Sequence, residues 1–381
     1  MPTNTCRPRA APGSRATRRV WPWARAPWAG RTCCATPSAP ISKCRPCIRA
    51  WVSDSPAPIP KAARSGPTRR VRRSLFARSS TFDAAMMETR MSANPEPPRR
   101  IYIDAVSDSS RWDAFVPRAG DIVVSTPPKS GTTWTQGILA MLIAGDPEVD
   151  AQTSMKSPWI DINIRDLDEV MARLAAQQHR RQVKTHTPFD GIPFWPQIRY
   201  VTVYRHPIDV HFSYRKHLAN MARDVGQTPL SENPSESFKE FLEEDVDHRG
   251  LGPILDHYLC TLAREPRENL IRLHYADMLR DLPSAVASLA AHVGIAHSTE
   301  VMAAITNAAT FASMKANAER FTPSAGQGFW KADAGFFDSA TSNKWEGQLT
   351  AGDLAAYDAK VDAVLSPEER AWLEWGNAPR Q

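Results

Sequence analysis

The chain has 381 residues, a formal net charge of +6 and a mean hydropathy of −0.41. These values favour one large α/β domain with appendages or two smaller domains. No apolar stretch approaches the length of a membrane span, and no apolar signal peptide opens the chain. We therefore expect a soluble, cytoplasmic protein without a transmembrane segment.

The basic residues are concentrated at the N-terminus. Residues 1–90 contain 18 Arg or Lys against three acidic residues, a net charge of +15, so the remainder carries −9. The same segment holds 12 of the 32 prolines and has no helical or strand periodicity. This composition predicts a disordered extension at 1–90 and a single folded domain at 91–381.

Two interpretations of the extension stay open. A basic arm for nucleic acid or an anionic membrane is one, but scattered tryptophans and the lack of an amphipathic pattern argue against it. A start site placed upstream of Met86, Met87 or Met91 is the interpretation that the composition favours. We accordingly expect no nucleic-acid partner.

Five of the six cysteines lie in the extension, and only Cys260 lies in the rest of the chain. The folded part therefore has no internal disulfide and suits a reducing cytosol. Adjacent cysteines and Pro/Arg-rich spacing in the extension argue against zinc ligation, so we expect no metal. The five cysteines are Cys6, Cys33, Cys34, Cys44 and Cys47.

The first predicted strand, 121–125, runs through a lysine-bearing turn into a helix at about 133–144. Pro127-Pro128 stops the strand. The turn therefore lies at a helix N-terminus, where free N–H groups, the Lys129 ammonium and nearby hydroxyls favour a phosphate. Its candidate phosphate-binding residues are Lys129, Ser130, Gly131, Thr132 and Thr133.

Further strands and helices alternate along the chain. Leu167, Val170, Met171 and Leu174 recur at helical spacing, and later strands are predicted at 182–184, 198–204 and 270–275, with a helix starting at Pro207. This order predicts a three-layer α/β/α fold of the P-loop-like type with a central parallel sheet. Lys129, His186, Arg205 and Tyr275 each follow a different strand, at the edge where such sheets bind ligands.

Two later segments complete the pattern. The stretch 214–253 is polar, and two interpretations stay open: a lid over a binding site or an ordinary surface loop. Near the C-terminus, Ser366 to Glu369 predict a capping box at the start of a helix that Gly376 ends.

The turn does not match the ATP/GTP loop, in which lysine follows the second glycine. Its wording, Pro-Lys-Ser-Gly-Thr-Thr-Trp at 128–134, resembles the 5′-phosphosulfate loop of the cytosolic-type sulfotransferases. These enzymes take sulfuryl groups from 3′-phosphoadenosine 5′-phosphosulfate. The resemblance extends over nearly all of 120–345 through motifs in the expected order.

Lys184-Thr185-His186 resembles the catalytic segment of that family, in which histidine is the general base. A neutral imidazole, with a reference pKa of about 6.5, suits removal of a proton from an acceptor hydroxyl. Negative charge builds on the departing phosphate, so Lys129 and Lys184 are predicted to stabilise the transition state.

The remaining donor contacts follow from the resemblance. Arg205 and Ser213, eight residues apart, look like the family's 3′-phosphate site. Trp134 is expected to offer a stacking face to the adenine, Tyr275 a hydrogen bond to its edge, and Phe311 a further aromatic wall.

Two family features are missing. Where the family has Phe-x-Arg-Lys-Gly, a clamp on the 3′-phosphate, residues 336–345 read Phe-Phe-Asp-Ser-Ala-Thr-Ser-Asn-Lys-Trp. Hydroxyls of Ser339, Thr341 or Ser342, or the ammonium of Lys331 or Lys344, are the candidate replacements, and the sequence does not choose among them. The dimerising segment Lys-x-x-x-Thr-Val-x-x-x-Glu is also absent, so the oligomeric state stays open.

The sequence thus predicts an enzyme that moves a sulfuryl group from 3′-phosphoadenosine 5′-phosphosulfate to a hydroxyl or amine of a small-molecule acceptor, without a metal. A P-loop-type nucleotide or small-molecule kinase is one alternative, although it would need magnesium-binding carboxylates. A catalytically silent nucleotide-binding protein is the other, because the clamp is missing.

Overall fold

The computed structural model describes residues 95–150, 152–223, 229–243, 249–337 and 341–377. All of them belong to one compact unit, Arg73–Gln381. The predicted extension at 1–90, its cysteines and Ser339 lie outside the described residues. The division into an extension and a domain therefore stays a prediction.

Four parallel strands form the central sheet: β1 (Ile122–Ser125), β2 (Gln182–Thr185), β3 (Arg199–Tyr204) and β4 (Leu270–His274). Their spatial order is β2-β1-β3-β4. Val123 of β1 is in register with Val183 on one side and Tyr200 on the other. The predicted parallel sheet is confirmed, with boundaries that differ by one residue, since β2 extends to Thr185, β3 begins at Arg199 and Tyr275 starts a helix.

Thirteen α-helices are described, and they connect or flank these strands. The first seven are α1 (Thr132–Ala144), α2 (Thr153–Lys156), α3 (Leu167–Ala176), α4 (Pro207–Asn220), α5 (Pro234–Glu243), α6 (Leu251–Leu262) and α7 (Tyr275–Arg280). The others are α8 (Leu282–Val293), α9 (Thr299–Ala308), α10 (Phe311–Ala316), α11 (Ala318–Phe321), α12 (Ala351–Asp362) and α13 (Pro367–Trp375). Short 3₁₀ helices occupy Ser109–Ala114 and Asp333–Phe336.

Strand residues alternate between two apolar layers. Ile122 and Val124 pack with α1 and α8 on one face of the sheet. Val123 and Val183 pack on the other face, with Trp112 and other aromatic side chains. Both faces are covered because side chains of a strand point alternately to opposite sides, and the predicted three-layer fold is confirmed.

The stretch predicted as a polar connection contains regular structure instead. It includes the end of α4, all of α5 and the start of α6, apart from 224–228 and 244–248, which lie outside the described residues. Phe238, Phe241 and Leu242 of α5 are buried in a core that includes Tyr357 of α12. Helix α5 is therefore part of the core rather than a covering lid.

The capping box predicted near the C-terminus is present. The Ser366 side chain accepts a hydrogen bond from the Glu369 N–H, and the Glu369 carboxylate accepts one from the Ser366 N–H. Gly376 follows the last helical residue, Trp375, with a φ of 70°. This reciprocal pair satisfies two N–H groups that would otherwise lack partners at the helix N-terminus.

Candidate active site

The loop between β1 and α1, residues 126–131 and here named the phosphate loop, has two positive φ angles. They are 64° at Lys129 and 114° at Gly131, which is the N-cap of α1. A Cβ atom at Gly131 would lie 3.1 Å from Cδ2 of Tyr275. Glycine is therefore favoured there by the backbone conformation and by the close approach of the Tyr275 ring, at the start of α7.

The loop's lysine contacts a residue that we did not predict. Lys129 Nζ lies 3.0 Å from Nδ1 of His217 and 4.7 Å from the centre of the Phe336 ring. Since an ammonium has no acceptor, His217 Nδ1 accepts this hydrogen bond. Burial, followed by the charge of Lys129, holds the pKa of His217 well below its usual range. The neutral imidazole is the form this contact requires.

His217 could have been found from its spacing. It lies four residues after Ser213 on α4, so the two side chains share one face of the helix. Ser213 and His217 both line the cavity described below. In the sequence, nothing besides that spacing distinguishes His217 from the other histidines.

The predicted base, His186, follows β2 and has a defined tautomer. Its Nδ1 lies 2.8 Å from the carbonyl oxygen of Thr126, which can only accept, so Nδ1 carries the proton. The other ring nitrogen, Nε2, is therefore left with its lone pair. Burial lowers the pKa of His186 well below its usual value, and the neighbouring Lys184 charge lowers it further.

A buried carboxylate holds the turn that carries His186. Asp161, which is fully buried, accepts hydrogen bonds at Oδ2 from the hydroxyls of Thr185 and Thr187, the two residues that flank His186. The Thr187 contact measures 2.6 Å, and Trp112 Nε1 lies 3.2 Å from the same oxygen. Both neighbours of the histidine are thereby fixed to one group.

Lys184 precedes that turn and is half-buried. Its Nζ lies 4.2 Å from the centre of the Trp159 ring, and the same ring meets the His186 ring in a T-shaped arrangement at 5.0 Å between centroids. Burial lowers the pKa of Lys184 to about 8, while the negative charge of Asp161 acts to raise it. With this pKa, Lys184 is mostly protonated at neutral pH and loses its proton at mildly alkaline pH.

The end of β3 carries Arg205 among aromatic rings. Its guanidinium lies 4.4 Å from the centre of the Tyr275 ring, and Nη2 donates to the Thr341 carbonyl at 3.2 Å. Tyr275 meets Trp134 edge-on at 5.3 Å between centroids, and Trp134 Nε1 donates to the Ala309 carbonyl at 2.8 Å. These contacts fix the two rings at the wall predicted to hold an adenine.

A single cavity of about 360 Å³ joins these groups. Ser130 is not part of its lining; the side chain is fully buried, and its hydroxyl has no hydrogen-bond partner among the described residues. The other predicted site residues all line it: Lys129, Gly131, Thr132, Thr133, Trp134, Lys184, His186, Arg205, Ser213, Tyr275 and Phe311.

A family model described as "Sulfotransferase domain" matches residues 119–367, which include every one of these groups. The chain belongs to the sulfotransferase family. The predicted class of enzyme, a transferase dependent on 3′-phosphoadenosine 5′-phosphosulfate, is thereby confirmed.

Sulfotransferases from bacteria and mammals are similar to this one. The glycolipid sulfotransferase of Mycobacterium bovis (strain BCG / Pasteur 1173P2) is 32% identical over 317 residues, which cover 75% of this chain and 97% of that protein. The amine sulfotransferase of Oryctolagus cuniculus is 29% identical over 212 residues, which cover 54% of this chain and 66% of that protein.

Solved sulfotransferase structures share the fold. Mouse sulfotransferase SULT7A1 complexed with PAP has a TM-score of 0.55 and 21% identity, and the match covers 69% of this chain and 91% of that one. Retinol dehydratase in a complex with retinol and PAP has a TM-score of 0.57 and 20% identity, with 68% and 87% covered. At this identity the likeness concerns the fold.

In 95–377, outside the gaps given above, no group of three or more His, Cys, Asp or Glu side chains is arranged to hold a metal ion. Among the same residues, no helix combines the length and apolar character needed to cross a bilayer.

Proposed function

We propose that this sulfotransferase moves a sulfuryl group from 3′-phosphoadenosine 5′-phosphosulfate to a hydroxyl or amine of a small-molecule acceptor, with His186 as the general base. The observation that carries the proposal is the His186–Thr126 hydrogen bond. It leaves Nε2 as a proton acceptor in the same cavity as Lys129 and Lys184. A base within reach of the acceptor and cations for the leaving group are what the reaction requires.

In the proposed step, the acceptor oxygen attacks sulfur as His186 Nε2 takes its proton. A new S–O bond forms, and the bond between sulfur and the 5′-phosphate oxygen breaks. The electron pair of that bond stays on the leaving adenosine 3′,5′-bisphosphate. Lys129 and Lys184 stabilise the charge that develops on this oxygen, which is larger in the transition state than in the bound donor.

The donor end of the site is proposed from the resemblance and from the positions of the side chains. The phosphate loop and the N-terminus of α1 would bind the 5′-phosphosulfate through N–H groups, with Thr132 and Thr133 beside them. Arg205 and Ser213 would bind the 3′-phosphate, while Trp134, Tyr275 and Phe311 enclose the adenine. The proposed reaction uses these side chains and no metal ion.

The cavity lining includes apolar and aromatic side chains that have no proposed contact with the donor: Tyr102, Ile162, Ile164, Phe329 and Trp330. This surface supports an acceptor with an apolar body and one reactive polar group. The similarity to mycobacterial enzymes named glycolipid sulfotransferases supports a hydroxyl acceptor of amphipathic character. A cytoplasmic location belongs to the same proposal.

One assay tests this function. The protein is offered the phosphosulfate donor with panels of apolar alcohols, phenols and amines, and the release of adenosine 3′,5′-bisphosphate is followed. We expect release that depends on the acceptor. Tight donor binding with no release for any panel would instead support a catalytically silent nucleotide-binding protein, while the family match decides against the kinase.

A further inference from the structure

The missing Arg-Lys-Gly segment leaves the predicted 3′-phosphate end of the cavity with an incompletely satisfied cation. Arg205 is 6% exposed and lines the cavity, yet its Nε has no hydrogen-bond partner among the described residues. Buried guanidinium N–H groups are normally paired. An anion at this place would supply the acceptor that Nε lacks.

Lys344 is placed beside Arg205. Both side chains line the cavity, together with Ser213 and Phe337. Their positive charges also act on one buried carboxylate, Asp209, where they lower a pKa that burial raises. Both cations therefore lie in the neighbourhood of Asp209, in the wall of the same cavity.

The other lysine that the sequence offered is differently placed. Lys331 is exposed, and its Nζ donates to the carbonyl oxygen of Ala219 at 2.7 Å. It does not belong to the cavity lining. The structure thus places Lys344 in the cavity lining and Lys331 outside it, whereas the sequence did not distinguish the two lysines.

We propose that Lys344 supplies the second cation of the 3′-phosphate site, in place of the absent Arg-Lys-Gly segment. The proposal rests on the proposed donor. Lys344 arrives from a loop where Asn343 has a φ of 60°, a left-handed conformation that asparagine tolerates. Arg205 then binds the phosphate as a planar fork and Lys344 as a point charge, with the Ser213 hydroxyl between the helix and the ligand.

This arrangement distinguishes nucleotides by their 3′ group. Adenosine 3′,5′-bisphosphate would contact Lys344, whereas adenosine 5′-monophosphate would not reach it. Loss of a charge-assisted contact of about 1.5 kcal/mol corresponds to roughly a tenfold weaker affinity. Lys344 therefore contributes to the choice of donor rather than to nucleotide binding in general.

The test measures the dissociation constants of both nucleotides by calorimetry for the full chain, Lys344→Ala, Lys344→Arg and Lys331→Ala. We expect Lys344→Ala to weaken binding of the bisphosphate about tenfold and to leave binding of the monophosphate unchanged. Lys344→Arg should keep most of the discrimination, and Lys331→Ala should match the unsubstituted chain. Thermal unfolding of each variant checks that the fold is retained.

The outcomes separate this inference from the function on which it rests. If the unsubstituted chain binds both nucleotides equally, the donor assignment itself is wrong. If that chain prefers the bisphosphate and Lys344→Ala keeps the full preference, or loses affinity for both ligands alike, Lys344 has no role at the 3′-phosphate. A loss confined to Lys331→Ala would assign the cation to that residue instead.

Discussion

The chemistry proposed for His186 depends on one carbonyl group. Because the Thr126 oxygen accepts from Nδ1, the basic lone pair is confined to Nε2. Because burial and Lys184 lower the pKa of the ring, it is neutral before any substrate arrives. A histidine with its proton on the other nitrogen would turn the wrong atom toward the acceptor.

Replacing His186 with Ala should strongly reduce sulfuryl transfer while leaving the affinity for adenosine 3′,5′-bisphosphate unchanged. General-base catalysis contributes about 10²–10⁴-fold to rates, so the loss of kcat should be of that size. Steady-state kinetics combined with calorimetry measure both effects. Activity close to that of the unsubstituted enzyme would show that the proton goes elsewhere.

The pH dependence of kcat/KM should be set by His186 and Lys184. A lowered histidine pKa keeps the base neutral above that value, so the acid limb should lie below about 6.5, the reference value. Lys184 is cationic below its pKa of about 8 and loses that charge above it, so activity should fall on the basic side.

Lys184→Arg should move the basic limb to higher pH, since arginine stays protonated beyond a pH of about 12. The acid limb should stay below the reference value for histidine. Rates measured from pH 5 to 10 at subsaturating donor would show both limbs. An unchanged basic limb would mean that another group controls it.

At the scale of single elements, the phosphate loop depends on the closeness of β1, α1 and the start of α7. Gly131 combines a φ of 114° with a Tyr275 ring that would lie only 3.1 Å from an added Cβ. The conformation that aims the N–H groups of α1 at a ligand is therefore available to glycine and poorly available to other residues.

Gly131→Ala should lower both the stability and the nucleotide affinity, with a cost of about 1–2 kcal/mol from the left-handed backbone alone. Gly252→Ala is the matched control, because nothing lies within 4 Å of a Cβ at that position in α6. The control should be neutral or stabilising by up to about 1 kcal/mol. Urea unfolding and calorimetry compare them, and equal effects would contradict a special role for the loop glycine.

The turn after β2 depends on Asp161. Asp161→Ala removes the acceptor of Thr185, Thr187 and Trp112, and each unsatisfied buried group costs about 1–3 kcal/mol. We expect kcat to fall more than nucleotide affinity, because this turn carries the proposed base, His186, and is separate from the phosphate loop.

Asp121→Asn provides the comparison for Asp161→Ala. Asp121 is an equally buried carboxylate that pairs with Arg181 at the start of β1, at the opposite edge of the sheet. The Asp121→Asn variant should be less stable, but its kcat per folded molecule should not change. If both variants lose activity in proportion to stability, Asp161 has only a structural role.

For the molecule as a whole, the strand segments, the parallel sheet and the location of the site follow from the sequence because they depend on local patterns, whereas the strand order β2-β1-β3-β4 was not predicted. Apolar runs, helical spacing and proline positions identify the strands, and a parallel sheet then brings their carboxyl ends together. The contacts of His217 with Lys129 and of Asp161 with Thr185 join segments far apart in the chain. Periodicity within one segment carries no information about such pairs.

The directions of the side chains within the phosphate loop could also not be predicted from the sequence. Ser130 was predicted among the phosphate ligands, and that prediction stays open: its side chain is fully buried, its hydroxyl has no hydrogen-bond partner among the described residues, and it is not part of the cavity lining. The left-handed backbone at Lys129 is likewise not indicated by the residue type at that position. The N–H of Ser130 still belongs to the loop that the motif predicts.

A chain that begins at Met91 should bind donor and transfer sulfuryl groups as the full chain does. The family match, 119–367, lies entirely within it, and the basic charge of 1–90 belongs to none of the site residues. Thermal unfolding and kcat/KM of the two chains at matched ionic strength provide the comparison. A marked loss in the shorter chain would assign a function to the extension.

The contact between Lys129 and His217 has a torsional consequence. An unrestrained lysine ammonium rotates about the Cε–Nζ bond, so its three N–H groups have no fixed direction. With one of them held by the imidazole, the other two point along defined directions before a ligand enters. The orientation of the Lys129 ammonium is therefore fixed before binding. Binding an oxyanion there costs less rotational entropy than it would at an unrestrained lysine.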